Sequence, residues 1–149
     1  MNVWTRNITG TEEGIWRTVE GNADEIIAIG RIIKAGFPCS RVDITNSRYD
    51  AIVQGRSNKL LRIQIKGIGG TTFNFTGGGR SGRQIDRTAE QKVRKYTIED
   101  CDLMVGITKD RGECYIIPME DLEQMGNSRS LAKLNYYKEN WELLLDLTN

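Results

Sequence analysis

Histidine is absent from all 149 residues. Its absence excludes a histidine general base, a His–Cys zinc site and every Ser–His–Asp triad. Cysteine is scarce: Cys39, Cys101 and Cys114 are odd in number and lack the paired spacing of a metal site. Free thiols in a reduced compartment are therefore expected, rather than a disulfide framework. Long apolar runs are missing too, and Met1-Asn2-Val3-Trp4-Thr5-Arg6 lacks a signal-peptide core. The expected location is cytoplasmic, with no membrane partner. The glycine-rich segment from Gly67 to Gly82 has no Gly-Lys-Ser/Thr and no helix signal behind it, which excludes a phosphate-binding P-loop. Any catalysis must rest on carboxylates, lysine and a hard metal.

What is present is an ordinary balance of 28% charged and 38% hydrophobic residues, enough for one core and a single domain over residues 1–149. The net charge of +1 hides a partition. Residues 56–95 carry ten basic side chains against Asp86 and Glu90, whereas residues 96–149 carry five basic against eleven acidic. Within the basic stretch, Arg80, Arg83 and Arg87 stand at or near a glycine-rich loop, followed by Lys92, Arg94 and Lys95. Either this is a merely solvated basic surface or it is a polyanion footprint, and arginines on a glycine-rich loop suit a groove or backbone contact on nucleic acid.

The hydrophobic pattern predicts a helix from about Asn22, an N-cap with Asp24 and Glu25 in its first turn, to Ala35, with Gly36 and Pro38 as stop signals. Residues 1–19 show no periodicity and suggest an arm or a short helix around Trp16. At 100° per residue, Ile26, Ile29, Ile32 and Ile33 share an arc of about 120° with Glu25, which places Glu25 on the core-facing stripe and leaves Glu20 and Asp24 off it. A carboxylate there must be paired, bound to a cation, or drawn to the rim. Cys39–Ile44, Tyr49–Gln54 and Leu60–Lys66 read as three meandering antiparallel strands, and Asp102–Ile107 and Cys114–Ile117 as two more. Thr71–Phe75 reads as extended. Pro118 opens a helix through Met125, and a last helix runs from about Leu134 to 147. Its stripe of Tyr137, Trp141, Leu144 and Leu145, with Tyr136 beside it, suits either the domain's own core or a subunit contact.

Asp50 begins one β-patterned segment, and Gln64 and Lys66 fall on one face of the next, with Ile63 and Ile65 on the other. A lysine two residues after a carboxamide, amid isoleucines, is costly to bury without a function. A carboxylate meeting polar groups from the neighbouring strand is what metal-dependent phosphodiester cleavage uses.

The order of one helix, three meandering strands, a connection and two further strands resembles the core of the PD-(D/E)XK nuclease superfamily. Within it the chain is most similar to the bacterial group I intron-encoded homing endonucleases of that type. The resemblance spans about residues 21–122 and is carried by Glu25, by Asn46-Ser47-Arg48-Tyr49-Asp50-Ala51-Ile52-Val53, by Leu61-Arg62-Ile63-Gln64-Ile65-Lys66, and by Cys114-Tyr115-Ile116-Ile117-Pro118. No proline precedes Asp50, and Gln64 stands where many members carry a carboxylate.

The resemblance implies an α/β, restriction-endonuclease-like core: a mixed β-sheet of about five strands flanked by helices. It implies Glu25, Asp50, Gln64 and Lys66 as the catalytic set. Asp50 would be the main anionic ligand for Mg2+, with Mn2+ able to substitute, the Gln64 carbonyl a neutral ligand, and Glu25 a ligand directly or through water. Lys66 would stabilise developing charge or act as base. The expected partners are double-stranded DNA and the protein itself, as a homodimer or a dimer of dimers. A small restriction enzyme or a Holliday-junction resolvase of the same fold is the alternative activity. A DNA-binding module whose catalytic site has decayed is the alternative class, for which Gln64 is the best argument.

Overall fold

A computed structural model describes residues 3–44, 46–77 and 94–149. Helix α1 (Glu13–Lys34) comes first, followed by β1 (Cys39–Arg41), β2 (Ala51–Gln54), β3 (Leu60–Ile68), β4 (Thr72–Asn74), β5 (Thr76–Gly77), β6 (Arg94–Lys95), β7 (Leu103–Thr108) and β8 (Cys114–Pro118). Helix α2 (Met119–Leu122), strand β9 (Ser128–Ser130) and helix α3 (Glu142–Leu147) complete the chain.

The five-stranded sheet has the order β1-β2-β3-β7-β8. β1, β2 and β3 form the expected antiparallel meander; β7 joins β3 in parallel, and β8 pairs antiparallel with β7. This is the mixed, helix-flanked α/β sheet that the sequence led us to expect. Strand alternation divides two cores. Ala51, Val53, Ile63, Ile65, Leu103, Val105 and Ile107 pack against Ala28 and Ile32 of α1. On the opposite side Met104, Ile117 and Ile68 pack with Phe73, Phe75, Met119, Leu122 and Leu134. Gly106 permits that second layer, since a Cβ there would lie 2.3 Å from the Phe73 ring. The extended stretch around Phe73 is strand β4, which pairs with β9, while β5 pairs with β6.

The first helix departs from expectation in two ways. It begins at Glu13, because the Glu12 carboxylate caps the Gly14 and Ile15 N–H groups at 2.9 and 3.2 Å. Asn22 is thus an exposed residue in mid-helix. The buried stripe is Glu20, Asp24, Ala28 and Ile32, whereas Ile26 and Ile33 are 56% and 51% exposed. Counting apolar side chains chose the wrong face. The buried acids are satisfied from far along the chain: Arg6 reaches Glu20 at 2.6 Å and Lys109 reaches Asp24 at 2.7 Å. No local pattern announces those partners. Gly36, at φ +112°, ends the helix where the sequence indicates.

The C-terminal helix is also shorter than expected. Two 3-10 turns, Leu131–Lys133 and Asn135–Tyr137, precede α3. Between them and α3 the chain is drawn to the edge of β8: Lys138 bridges Tyr115, the Glu139 N–H donates to the Cys114 carbonyl at 2.7 Å, and the Glu139 carboxylate pairs with Arg31. Glu139 adopts φ +53°, which breaks any continuous helix. Tyr137 and Trp141 pack against the domain's own cores, and Tyr136 remains exposed. The three cysteines are free thiols. Among the described residues no helix is long and apolar enough to cross a membrane.

Candidate active site

Asp50 sits where β2 begins. Its N–H donates to the Ile63 carbonyl at 2.7 Å, and its Oδ2 accepts the Ile65 N–H at 2.8 Å. The β2–β3 register starts at Ala51↔Ile63, so Ile65 has no β2 residue opposite, and the carboxylate takes its N–H instead. One carboxylate oxygen is thereby fixed to the sheet. Burial pushes the Asp50 acid up to about 6; the Ile65 N–H and Arg41 oppose this, and the Glu25 charge adds to it.

Two clefts meet at Asp50. One, of about 210 Å3, is lined by Glu25, Arg41, Asp43, Ser47, Tyr49 and Asp50 among others. The structure therefore brings Glu25 to Asp50, although from the flank of α1 rather than from its buried stripe. The Glu25 carboxylate forms an ion pair with Arg41, its Oε1 lying 3.0 Å from Nε. The second cleft, of about 360 Å3, is lined by Asp50, Gln64, Ser47, Arg48, Arg94, Tyr96 and Asp100. Gln64 thus faces Asp50 across the β2–β3 pair. Its amide nitrogen makes one long contact, 3.5 Å to the Ile65 carbonyl. Lys66 follows two residues along β3; its Nζ donates to the Thr76 carbonyl, and burial lowers its pKa.

Among the described residues no three His, Cys, Asp or Glu side chains cluster into a metal site of their own. The donors available are two carboxylates, Asp50 and Glu25, and the Gln64 carboxamide oxygen. That all-oxygen set suits a hard cation such as Mg2+, which takes one or two carboxylates and fills its shell with water and substrate phosphate. Burial first, and then the Glu25 charge, disfavour the ionised Asp50, and a cation beside it would offset both.

Asp100, Arg48 and Tyr96 of the second cleft are given no role by the sequence alone. Asp100 is completely buried, and Arg48 and Arg94 both bind it. The Tyr96 ring closes the same cleft, where Gly77 leaves it room: a Cβ at Gly77 would lie 2.3 Å from the Tyr96 hydroxyl. The only sequence signal was Thr97-x-x-Asp100, a side-chain-closed turn in which Asp100 Oδ2 accepts the Thr97 N–H at 3.0 Å. Of the basic residues expected to meet DNA, Arg80, Arg83, Arg87 and Lys92 lie outside the described residues. Arg94 is held by Asp100, and Lys95 Nζ donates to the Met125 carbonyl.

A family model for PD-(D/E)XK endonucleases matches residues 17–139, which include Glu25, Asp50, Gln64 and Lys66. The chain belongs to that family. No curated protein matches it by sequence. Among solved structures, a bacterial homing endonuclease, I-Ssp6803I, superposes with a TM-score of 0.66 at 20% identity, covering 87% of this chain and 93% of that one. The two share a fold. Within this PD-(D/E)XK endonuclease, the two clefts at Asp50 bring together Glu25, Asp50 and Gln64, whereas Lys66 lines neither of them and is turned to the Thr76 carbonyl.

Proposed function

We propose that the protein is a site-specific DNA endonuclease of the intron-homing kind, which makes a double-strand break by Mg2+-dependent hydrolysis. One observation carries this reading. Asp50 is a half-buried carboxylate fixed to β3 by one oxygen, sharing one cleft with Glu25 and the other with Gln64. The fold likeness to a homing endonuclease supports the choice within the family.

Asp50, the Gln64 carbonyl and Glu25 would hold the metal. Bound Mg2+, or Mn2+ in its place, would polarise the scissile phosphate and acidify the attacking water. Asp50 orients, because its second oxygen is aimed by the Ile65 N–H. Glu25 would join it through its second oxygen, Arg41 being paired with the first. Lys66 sits on the Gln64 face and stabilises the charge that develops on the phosphate oxygens. The described residues offer no activated nucleophile, so water attacks in line and no covalent enzyme intermediate forms.

One protomer has one such site, so cutting both strands calls for a homodimer or a dimer of dimers. Helix α1 supports this: Ile15, Val19, Ile26 and Ile33 are all exposed and fall at coiled-coil seam spacing, with Asn22 and Ile29 completing the stripe. A second copy of the same stripe is its natural complement.

The test is incubation with Mg2+ and a randomised linear duplex library, followed by sequencing of cut ends. Unique, paired ends are expected. Preferred cutting of four-way junctions would make the protein a resolvase, and binding without any cleavage would make it a DNA-binding module.

A further inference from the structure

We infer that Arg48 and Arg94, tied together on Asp100, form a clamp for a DNA phosphate beside the cleavage site, with Asp100 as a positioning residue. The inference rests on the nuclease reading above and adds a phosphate contact to it.

The geometry starts from Asp100, which is 0% exposed. Its Oδ1 accepts from Arg48 at 2.9 Å and from Arg94 at 2.8 Å, and its Oδ2 from Arg94 at 2.9 Å and the Thr97 N–H at 3.0 Å. Four donors saturate a carboxylate. The Arg94 guanidinium, followed by burial in the opposite sense and then the Thr97 and Arg48 hydrogen bonds, holds this acid well below the usual carboxylate range. Asp100 is therefore ionised at every working pH.

One buried carboxylate needs one guanidinium to balance it. Here there are two, so among the described residues the cluster carries one positive charge more than Asp100 balances. Both arginines are also far from spent. Each guanidinium has five N–H donors, of which Asp100 takes one from Arg48 and two from Arg94. Their side chains are 63% and 48% exposed. They line the same 360 Å3 cleft as Asp50 and Gln64. Arg48 precedes Asp50 by two residues, which puts the clamp directly alongside the carboxylate. A fork of donors, a positive charge beyond what Asp100 balances and the neighbouring proposed hydrolytic site together select a phosphate diester.

Asp100 does two things in this arrangement. It joins the Thr97–Asp100 turn to the segment before β2, and it fixes both guanidinium planes. Without it the charges remain, but their direction is lost.

Duplex binding should be measured by fluorescence anisotropy in EDTA across a salt series, beside single-turnover cleavage in Mg2+ at a temperature well below each variant's melting point. Arg48→Ala should reduce the slope of log affinity against log salt by about one, and Arg48→Lys should restore it. Arg17→Ala, exposed and remote on α1, should leave it unchanged. Asp100→Asn should retain the parent slope while its cleavage rate per folded molecule falls by about tenfold or more, a split that a purely structural aspartate would not produce. Should Asp100→Asn not fold, the Arg48 pair decides alone. A folded Arg48→Ala with the parent's slope and the parent's cleavage overturns the clamp. A parent that binds duplex but never cuts overturns the nuclease reading, and the slopes in EDTA still decide the clamp. A parent without salt-dependent duplex binding overturns both.

Discussion

Asp50 carries the sharpest consequences at the scale of single residues. Its acid lies at about 6 in the folded protein, against an ordinary 3.8. The native state therefore holds this proton more firmly than the unfolded chain, and stability falls as pH rises from about 4 to about 6. Asp50→Asn removes that penalty. Without metal it should be more stable than the parent above pH 6, by about 1–2 kcal/mol, and equal to it below about pH 4. Thermal melts in EDTA across that range check this, and added Mg2+ should raise the melting point of the parent alone. The same variant should bind duplex in Ca2+ or EDTA nearly as well as the parent while losing cleavage by several orders of magnitude, as should Lys66→Ala. Cleavage that survives in folded Asp50→Asn would sink the site assignment. Gln64 gives a separate reading. As a neutral oxygen ligand, Gln64→Glu should tighten Mg2+, and Gln64→Ala should weaken metal-dependent cleavage; normal cutting by Gln64→Ala at low Mg2+ would reduce it to packing.

The elements differ in how locally they are specified. Strands β2 and β3 declare themselves by alternation, and β7 and β8 by continuous apolar runs. Helix α1 declares its existence but hides its face, because half of its buried stripe is acidic and is matched by Arg6 and Lys109. β7 depends on a vacancy: Gly106 leaves the space that the Phe73 ring occupies. Gly106→Ala should destabilise the fold by about 1–3 kcal/mol through overpacking. Urea unfolding measures this, and no loss of stability would show that Phe73 can move aside.

At the scale of the whole molecule the proposed activity requires DNA to be found and held, and the basic stretch of residues 56–95 is the proposed footprint. Replacing Arg80, Arg83 or Arg87 with Ala should each weaken target binding. A guanine contact would relax specificity by about 1–3 kcal/mol, whereas a phosphate contact would weaken all sequences alike. If none of the three lowers affinity, recognition lies elsewhere. Assembly belongs to this scale as well. Ile33→Glu places a charge in the exposed stripe of α1, away from Glu25, and should shift the protein toward monomer in sedimentation velocity. An unchanged mass distribution would return attention to the exposed Tyr136.

The sequence by itself determined the sheet and named the candidate residues on β2 and β3. Strand alternation is a property of adjacent residues, so the common face of Gln64 and Lys66 and the antiparallel meander were legible without coordinates. So was the exclusion of histidine chemistry. Tertiary structure decided what depends on residues distant in the chain. Glu25 reaches Asp50 from the flank of α1, since Glu20 and Asp24 hold the buried stripe with partners 14 and 85 residues away. The last helix is interrupted because Glu139 answers Arg31, 108 residues before it. Arg48 and Asp100 stand 52 residues apart, and only closure of the sheet makes one a partner of the other. A buried charge is tolerable only when its counter-charge arrives, and where it arrives from is a property of the fold, which no local pattern records.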